Sequence, residues 1–358
     1  MSFIKTDNWE VTPPCKYFAL CGGCSLQHLA KPEEYKFSLV TEAIKKISFN
    51  GILHPLKQIS INTRRRVQFK VSNKRISFSK WHSNEAVHIE KCLLLDDKIN
   101  NLIKPLNQLL SKLKSKIDKI SITNSDTNIE LVFHSNIISS LTSEEILTDF
   151  AIHNNIGRIA WQPTKQSPYA IVELKPIQLE YQNILIDLPI NSFLQVSKES
   201  NTIMTNIILN HLINEKDVLE LYAGCGSFTV PIALKHKVFA IEGSQEAIVA
   251  LKNTANKYQL PIKTIKQDLY YNPVTTSVID KYEQIVINPP RNGASPQIAE
   301  IAKSLNIKKV ILVSCSLDNF IRDSKILLNS GFELTEIHPI DQFLYSKHLE
   351  IIGCYTKL

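Results

Sequence analysis

The sequence predicts an α/β chain: a doubly wound, mostly parallel sheet in the C-terminal part, preceded by a cysteine-bearing, β-rich basic region. Three observations predict it. From Asp217 onward, apolar runs of strand length alternate with amphipathic stretches of helix length. Three of the seven cysteines crowd into ten residues near the N-terminus. Residues 51–84 carry eight Lys or Arg and no Asp or Glu. With 358 residues, 44% apolar and 21% charged, the composition is that of a globular chain with material for two cores. Disordered, collagenous and membrane-embedded classes are excluded on that ground.

The balance of 41 Lys and Arg against 34 Asp and Glu, a net +7, permits a polyanionic partner without requiring one. The opening run MSFIKTDNWE lacks the basic start, apolar core and cleavage site of a leader, and no 18 uncharged apolar residues run together. A cytoplasmic chain with no membrane contact is expected, and no protein partner is implied. In that reducing setting clustered cysteines point to metal binding or catalysis rather than disulfides.

Cys15, Cys21 and Cys24 stand in CKYFALCGGC, where Gly22 and Gly23 allow the backbone to fold tightly around a bound centre. Cys92, in EKCLLL, is the candidate fourth thiolate. Four thiolates suit a [4Fe–4S] cluster or tetrahedral zinc. Zinc more often shows two close cysteine pairs, so three-plus-one leans toward iron–sulfur, with unrelated free thiols as the plain alternative.

Residues 33–48 place Phe37, Val40, Ile44 and Ile47 on one face, predicting an amphipathic helix. In the basic stretch that follows, VQFKVSNKRISFSKW alternates apolar and polar residues around Ser72-Asn73-Lys74, as a hairpin does. A ribbon carrying Arg64, Arg65, Arg66 and Lys70 suits phosphate contact, and equally suits an edge strand guarded by charge. Residues 96–190, with ISIT and IELVFH, read as scaffold. Pro189, ahead of a helical stretch over 197–213, marks a boundary between parts 1–190 and 191–358.

The last part reads as VLELYAG (strand), CGSFTVPIALKH (helix), VFAIE (strand), a helix over 245–258, then strands PIKTI, EQIVI and KKVILVS with helices PQIAEIAKSL and DNFIRDSKILLN. In such sheets ligands sit beyond the carboxyl ends of the strands. Gly224-Cys225-Gly226 follows the first strand, and Glu242 follows the second, placed to accept ribose hydroxyls. Thr229 stands where a dinucleotide fingerprint needs its third glycine, which favours an adenosine ligand without pyrophosphate, such as S-adenosylmethionine (SAM). Asn288-Pro289-Pro290-Arg291 follows EQIVI; with Arg291 in place of an aromatic it disfavours adenine N-methylation. Cys315 follows KKVILVS, where a nucleophile belongs, a buried core thiol being the alternative.

Taken together these residues resemble one family, the SAM-dependent RNA uracil-5 methyltransferases, in particular the iron–sulfur branch that acts on 23S ribosomal RNA. The likeness runs over nearly the whole chain: the three-plus-one cysteines, Arg64-Arg65-Arg66, Phe193-Leu194-Gln195-Val196, LYAGCGSFT, NPPRNG, VSCS with Arg322-Asp323 beyond it, and DQF followed by HLE. The resemblance implies a class I SAM methyltransferase domain over 191–358, with the helix at 33–48 packed on it. It implies Cys315 as nucleophile and Glu350 as base, and Gln195, Tyr222, Gly224, Glu242, Asp268 and Asn288 around SAM. It also implies a [4Fe–4S] cluster on Cys15, Cys21, Cys24 and Cys92, and RNA held by Arg64, Arg65, Arg66 and Lys70. The small oligonucleotide-binding barrel that opens some relatives is expected to be absent, since 14 residues precede Cys15.

Three positions depart from the family pattern: Asn288 for Asp, Ser316-Leu317 for Asn-Pro, and Leu344 for Pro. The expected chemistry is addition of the Cys315 thiolate to carbon 6 of a flipped uracil, methylation at carbon 5, and proton removal by Glu350 to leave 5-methyluridine. A transfer-RNA enzyme of the same chemistry and a noncatalytic RNA-binding assembly factor are the alternatives. Cytosine-5 methylation is disfavoured because residues 288–291 contain no cysteine.

Overall fold

The computed structural model describes residues 10–357; the opening run read for a leader lies, up to residue 9, outside them. Helix α1 (Pro32–Ile44) starts on a proline in its first turn with Glu33 and Glu34 beside it, both suited to a helix N-terminus. Two short strands follow, β1 (Ile52–Leu53) and β2 (Lys57–Gln58).

A seven-stranded sheet comes next. Its members are β3 (Arg66–Ser72), β4 (Arg75–Ser79), β5 (Ala86–His88), β6 (Lys119–Asn124), β7 (Ile129–Ser135), β8 (Arg158–Pro163) and β9 (Tyr169–Glu173), in the order β5-β4-β3-β6-β7-β8-β9. Asn73 and Lys74, both at positive φ, make the two-residue turn of the foreseen β3–β4 hairpin. Helix α2 (Asp97–Lys112) is capped by the Asp96 side chain; it shares one apolar core with the sheet and with α3 (Leu141–His153).

The hairpin β10 (Gln178–Tyr181) and β11 (Ile184–Asp187) leads to α4 (Lys198–His211). Strands and helices then alternate: β12 (Val218–Leu221), α5 (Thr229–Ala233), β13 (Val238–Glu242), α6 (Gln245–Lys257), β14 (Ile262–Lys266), α7 (Thr276–Ile279), β15 (Gln284–Ile287), α8 (Ser295–Ala302), β16 (Lys309–Ser314), α9 (Leu317–Leu328), β17 (Glu333–Asp341) and β18 (Glu350–Thr356). Strands β14, β13, β12, β15 and β16 are parallel, and β18 inserts antiparallel between β16 and β17. Apolar cores cover both faces, which is why β12 is buried at every position.

Three features differ from expectation. The helix expected over 225–236 forms only at Thr229–Ala233, where Pro231 withholds a backbone donor. Strand β17 was not foreseen. And the large sheet does not respect the boundary at 190, since β1 and β2 pair in parallel with β17. Helix α1 packs on the last part as the resemblance implies, Val40 and Ala43 joining the core of Phe320 and Leu327. Among the described residues no helix is long and apolar enough to cross a membrane.

Candidate active site

The turn after β12 is a run of left-handed backbone: Tyr222 (φ 61°), Gly224 (φ 58°) and Gly226 (φ 100°). A Cβ on Gly226 would stand 2.6 Å from Leu251 of α6, so glycine is required there by packing as well as by φ. A Cβ on Gly224 would meet nothing within 4 Å: this glycine faces open space. Glu242 at the end of β13 ties the turn down, accepting from Gly224 N and Ser244 N, each at 2.9 Å, one on each carboxylate oxygen. Each oxygen keeps a lone pair for a further donor.

The Tyr222 hydroxyl is pushed up to about 12 by burial and by the charges of Asp268, Asp323 and Glu242, so these groups share one region. Asn288 begins the next loop with its N–H on the Leu221 carbonyl at 3.3 Å. An open glycine cradle flanked by acceptors at two neighbouring strand ends fits an adenosine-type ligand such as SAM.

On the other side of the switch in strand order, Cys315 follows β16 directly, and the next residue, Ser316, caps α9 by accepting from Asn319 N. The departure at Ser316-Leu317 therefore keeps a sound cap. The Cys315 thiol is half-buried. Burial and then the neighbouring Glu350 push its pKa up, while Arg291 opposes them by charge and a hydrogen bond. Arg291 is itself held through its carbonyl, which accepts from Asn319 Nδ2 at 2.6 Å, and Asp323 accepts from Ser295 Oγ just beyond.

Glu350 opens β18 and is 5% exposed. Burial pushes its carboxyl up to about 7, against the pull of a Gln342 hydrogen bond and of Arg291. Gln342 donates both hydrogens of Nε2, to Glu350 Oε1 (2.7 Å) and Gln195 Oε1 (3.0 Å), and accepts from Ser200 Oγ (2.8 Å). Cys315, Glu350 and Arg291 thus share one field, with Gln195 one amide away.

The loop behind this centre is fixed from α1. Lys36, fully buried, donates through Nζ to the Asp341 carboxylate and to the carbonyls of Phe343 and His348, each at 2.9 Å. Lys36, Asp341 and Gln342 were not singled out in the sequence, although the DQF run contains two of them.

The four N-terminal cysteines are drawn together. Burial pushes the Cys24 thiol up to about 12, with the charges of Cys92, Cys21 and Cys15 adding to it. Gly22 N donates to Ser79 O at 2.9 Å, and Gly23 N donates to Cys21 Sγ at 3.4 Å. Cys92 is fixed by Asn100, which accepts from its N–H and donates to its carbonyl; the N–H groups of Leu94 and Leu95 reach its sulfur. Two of the four sulfurs, those of Cys21 and Cys92, thus receive backbone N–H donors, as thiolate ligands commonly do. The same loop touches the catalytic side, since Ser25 N and Leu26 N donate to the Tyr345 carbonyl.

The arginine run is placed otherwise than expected. Arg65 is 4% exposed; it pairs with Asp126 at 3.2 Å and donates to the Gln195 carbonyl at 3.1 Å, so its guanidinium is turned inward rather than to a phosphate. Arg66 donates to the Leu194 carbonyl and stacks on Phe193, while Arg64 lies between Cys92, Cys24 and Arg291. The run braces residues 193–196. Lys70 reaches the Asn84 carbonyl at 2.6 Å at an exposed position.

A family model described as tRNA (Uracil-5-)-methyltransferase matches residues 64–357. An uncharacterized RNA methyltransferase of Brucella melitensis biotype 1 is 29% identical over 374 residues, covering 100% of this chain and 87% of the relative. The 23S rRNA (uracil(1939)-C(5))-methyltransferase RlmD of Mannheimia succiniciproducens is 26% identical over 363 residues, covering 97% and 82%. Among solved structures, the Pyrococcus abyssi tRNA (uracil-54, C5)-methyltransferase in complex with S-adenosyl-L-homocysteine shares the fold, with a TM-score of 0.73 over 94% of this chain and 86% of that one at 17% identity. With more than three quarters of its length matched, the chain belongs to the tRNA (uracil-5-)-methyltransferase family, enzymes that carry a methyl group from SAM to carbon 5 of uracil in RNA.

Proposed function

We propose that the chain methylates carbon 5 of a uridine in 23S ribosomal RNA through a transient bond between Cys315 and carbon 6, with Glu350 as the base. The observation that carries this reading is the pairing of Cys315 with Glu350 and Arg291 at the ends of β16 and β18.

Carbon 5 of uracil is too weak a nucleophile to be methylated directly. Cys315 Sγ releases its proton to solvent, with Arg291 offsetting the thiolate charge, and bonds to carbon 6, moving the ring double-bond electrons onto carbon 5 and the carbon 4 oxygen as an enolate. SAM, bound along Tyr222, Gly224, Glu242, Asp268 and Asn288 with Gln195 beside them, would supply its methyl group to carbon 5 and leave as S-adenosylhomocysteine. Glu350 then takes the carbon 5 proton; the double bond re-forms and the thiolate is expelled. Gln342 holds the Glu350 carboxylate in place through these changes.

The ribosomal assignment rests on the RlmD relative and on the three-plus-one cysteines, which we propose hold [4Fe–4S]. No redox step is needed, so the cluster's role is to fix the loop that meets Tyr345. Lys70 and the β3–β4 ribbon face RNA. Residues 1–190 carry the cluster and RNA contacts and 191–358 the methyl transfer, with α1, β1 and β2 lent to the latter.

Tritiated SAM with unmodified ribosomal and transfer RNA tests the substrate by nucleoside analysis; label confined to transfer RNA would overturn the ribosomal assignment. Cys315→Ala should abolish transfer, and Glu350→Gln should accumulate a covalent RNA adduct on denaturing gels. Absence of that adduct, with SAM binding intact, rejects the roles given to the pair.

A further inference from the structure

Away from the catalytic centre, three histidines converge on one carboxylate. The Nε2 atoms of His54, His211 and His338 lie 2.7, 3.1 and 3.3 Å from oxygens of Glu336. Glu336 and His338 alternate on β17, so their side chains share a face. Cys354 of β18 stands directly across the ladder from Glu336. His211 comes from the last turn of α4, and His54 follows β1 with its N–H on the Ile337 carbonyl. Four separate elements therefore contribute to one spot. Cys354 is four residues along β18 from Glu350, about 13 Å at strand rise.

Hydrogen bonding within the protein leaves one member of this group unsatisfied. His338 is 6% exposed, and its Nε2, although near Glu336, has no hydrogen-bond partner. His211 donates Nδ1–H to the Ile207 carbonyl at 2.7 Å, which orients the ring so that its Nε2 faces the cluster. Cys354 is a fully buried free thiol. One donor atom from each of His211, His338 and Cys354 lies within 4.8 Å of the other two, and the same holds for His54, Glu336 and His338.

We propose that this edge of the large sheet binds a divalent transition metal of the zinc class, with His211, His338 and Cys354 as ligands and Glu336 as the fourth donor. Mixed imidazole, thiolate and carboxylate donors suit zinc, and four protein donors make a structural rather than a catalytic site. His54 is the outer partner that orients the Glu336 carboxylate and the group nearest solvent, which gives the ion an entry path. Binding expels the Cys354 proton to solvent. The bound ion ties α4 to the β1–β17–β18 edge. The inference is independent of the roles given to Cys315 and Glu350.

Zinc alone is the probe. The full-length chain is titrated with Zn²⁺ against a chromophoric chelator, beside His338→Gln, Cys354→Ser, His54→Ala and Cys24→Ser. One equivalent should persist in Cys24→Ser, weaken at least tenfold in His338→Gln and Cys354→Ser, and weaken about tenfold in His54→Ala, which alters an outer partner. His54 is part-exposed, so that variant keeps the test valid if the buried ones misfold. With Co²⁺, a thiolate-to-metal band should be lost in Cys354→Ser and kept in Cys24→Ser. Unchanged affinity in His338→Gln and His54→Ala, or a cobalt–thiolate band that depends on Cys24 alone, overturns the site.

Discussion

Lys36 of α1 and Asp341 at the end of β17, 305 positions apart in sequence, form a buried ion pair. Burial pushes the lysine pKa down and the aspartate pKa up, so each depends on the other for its charge. Lys36 also holds the carbonyls of Phe343 and His348, two residues before Glu350 in the latter case. Lys36→Met should therefore cost about 3–5 kcal/mol in denaturant unfolding, because Asp341 is left buried and unpaired. The double variant Lys36→Met with Asp341→Asn should recover part of that loss. At temperatures where the single variant stays folded, kcat should fall more than SAM affinity does.

The pH dependence of methyl transfer should show an ascending limb with an apparent pKa near 7, set by the buried Glu350 carboxyl. The Gln342 hydrogen bond pulls that pKa down, so Gln342→Met should move the limb to higher pH. Stability responds with the opposite sense. The folded pKa lies above the unfolded value of about 4.3, so Glu350 contributes most below that value and its contribution is lost as pH rises through about 7. Glu350→Gln should therefore lose less stability than the parent between pH 5 and 8, read from urea midpoints.

At the cofactor turn the two glycines should fail differently. Gly224→Ala places a methyl in open space at φ 58°, costing about 1–2 kcal/mol in backbone strain, and should weaken SAM binding by calorimetry with the fold retained. Gly226→Ala meets Leu251 at 2.6 Å as well as the strain at φ 100°, and should lower the melting temperature further.

Salt dependence separates the cationic residues. Lys70→Ala should weaken RNA binding uniformly and reduce the slope of log affinity against log salt by about 1. Arg65→Ala should leave that slope unchanged while destabilising the fold, since its partners are Asp126 and the Gln195 carbonyl.

Much of the alternating half of the fold was legible. Strands such as VFAIE and KVILVS are buried on both faces and read as unbroken apolar runs between helical periods. Strand β17 was hidden because it carries Glu336, His338 and Pro339. Its proline is tolerated where the neighbouring strand is interrupted between β1 and β2. The arginine run misled because charge in a sequence suggests surface, whereas Asp126 and the two loop carbonyls of Leu194 and Gln195 wait for it inside. Positions after strand ends were readable from topology alone. Gln342, a neutral amide, gave no charge or spacing to notice, and only the folded chain shows it between Gln195 and Glu350.

The parallel pairing of β1 with β17 joins Leu53 to Ile337. During translation, at about 5–20 residues per second, the earlier partner leaves the ribosome tens of seconds before the later one exists. Until then the opening helix and strands have no docking edge, and their apolar side chains stay accessible to chaperones. A stalled or prematurely ended nascent chain would thus display an adhesive N-terminal segment that only the final synthesised strands can sequester.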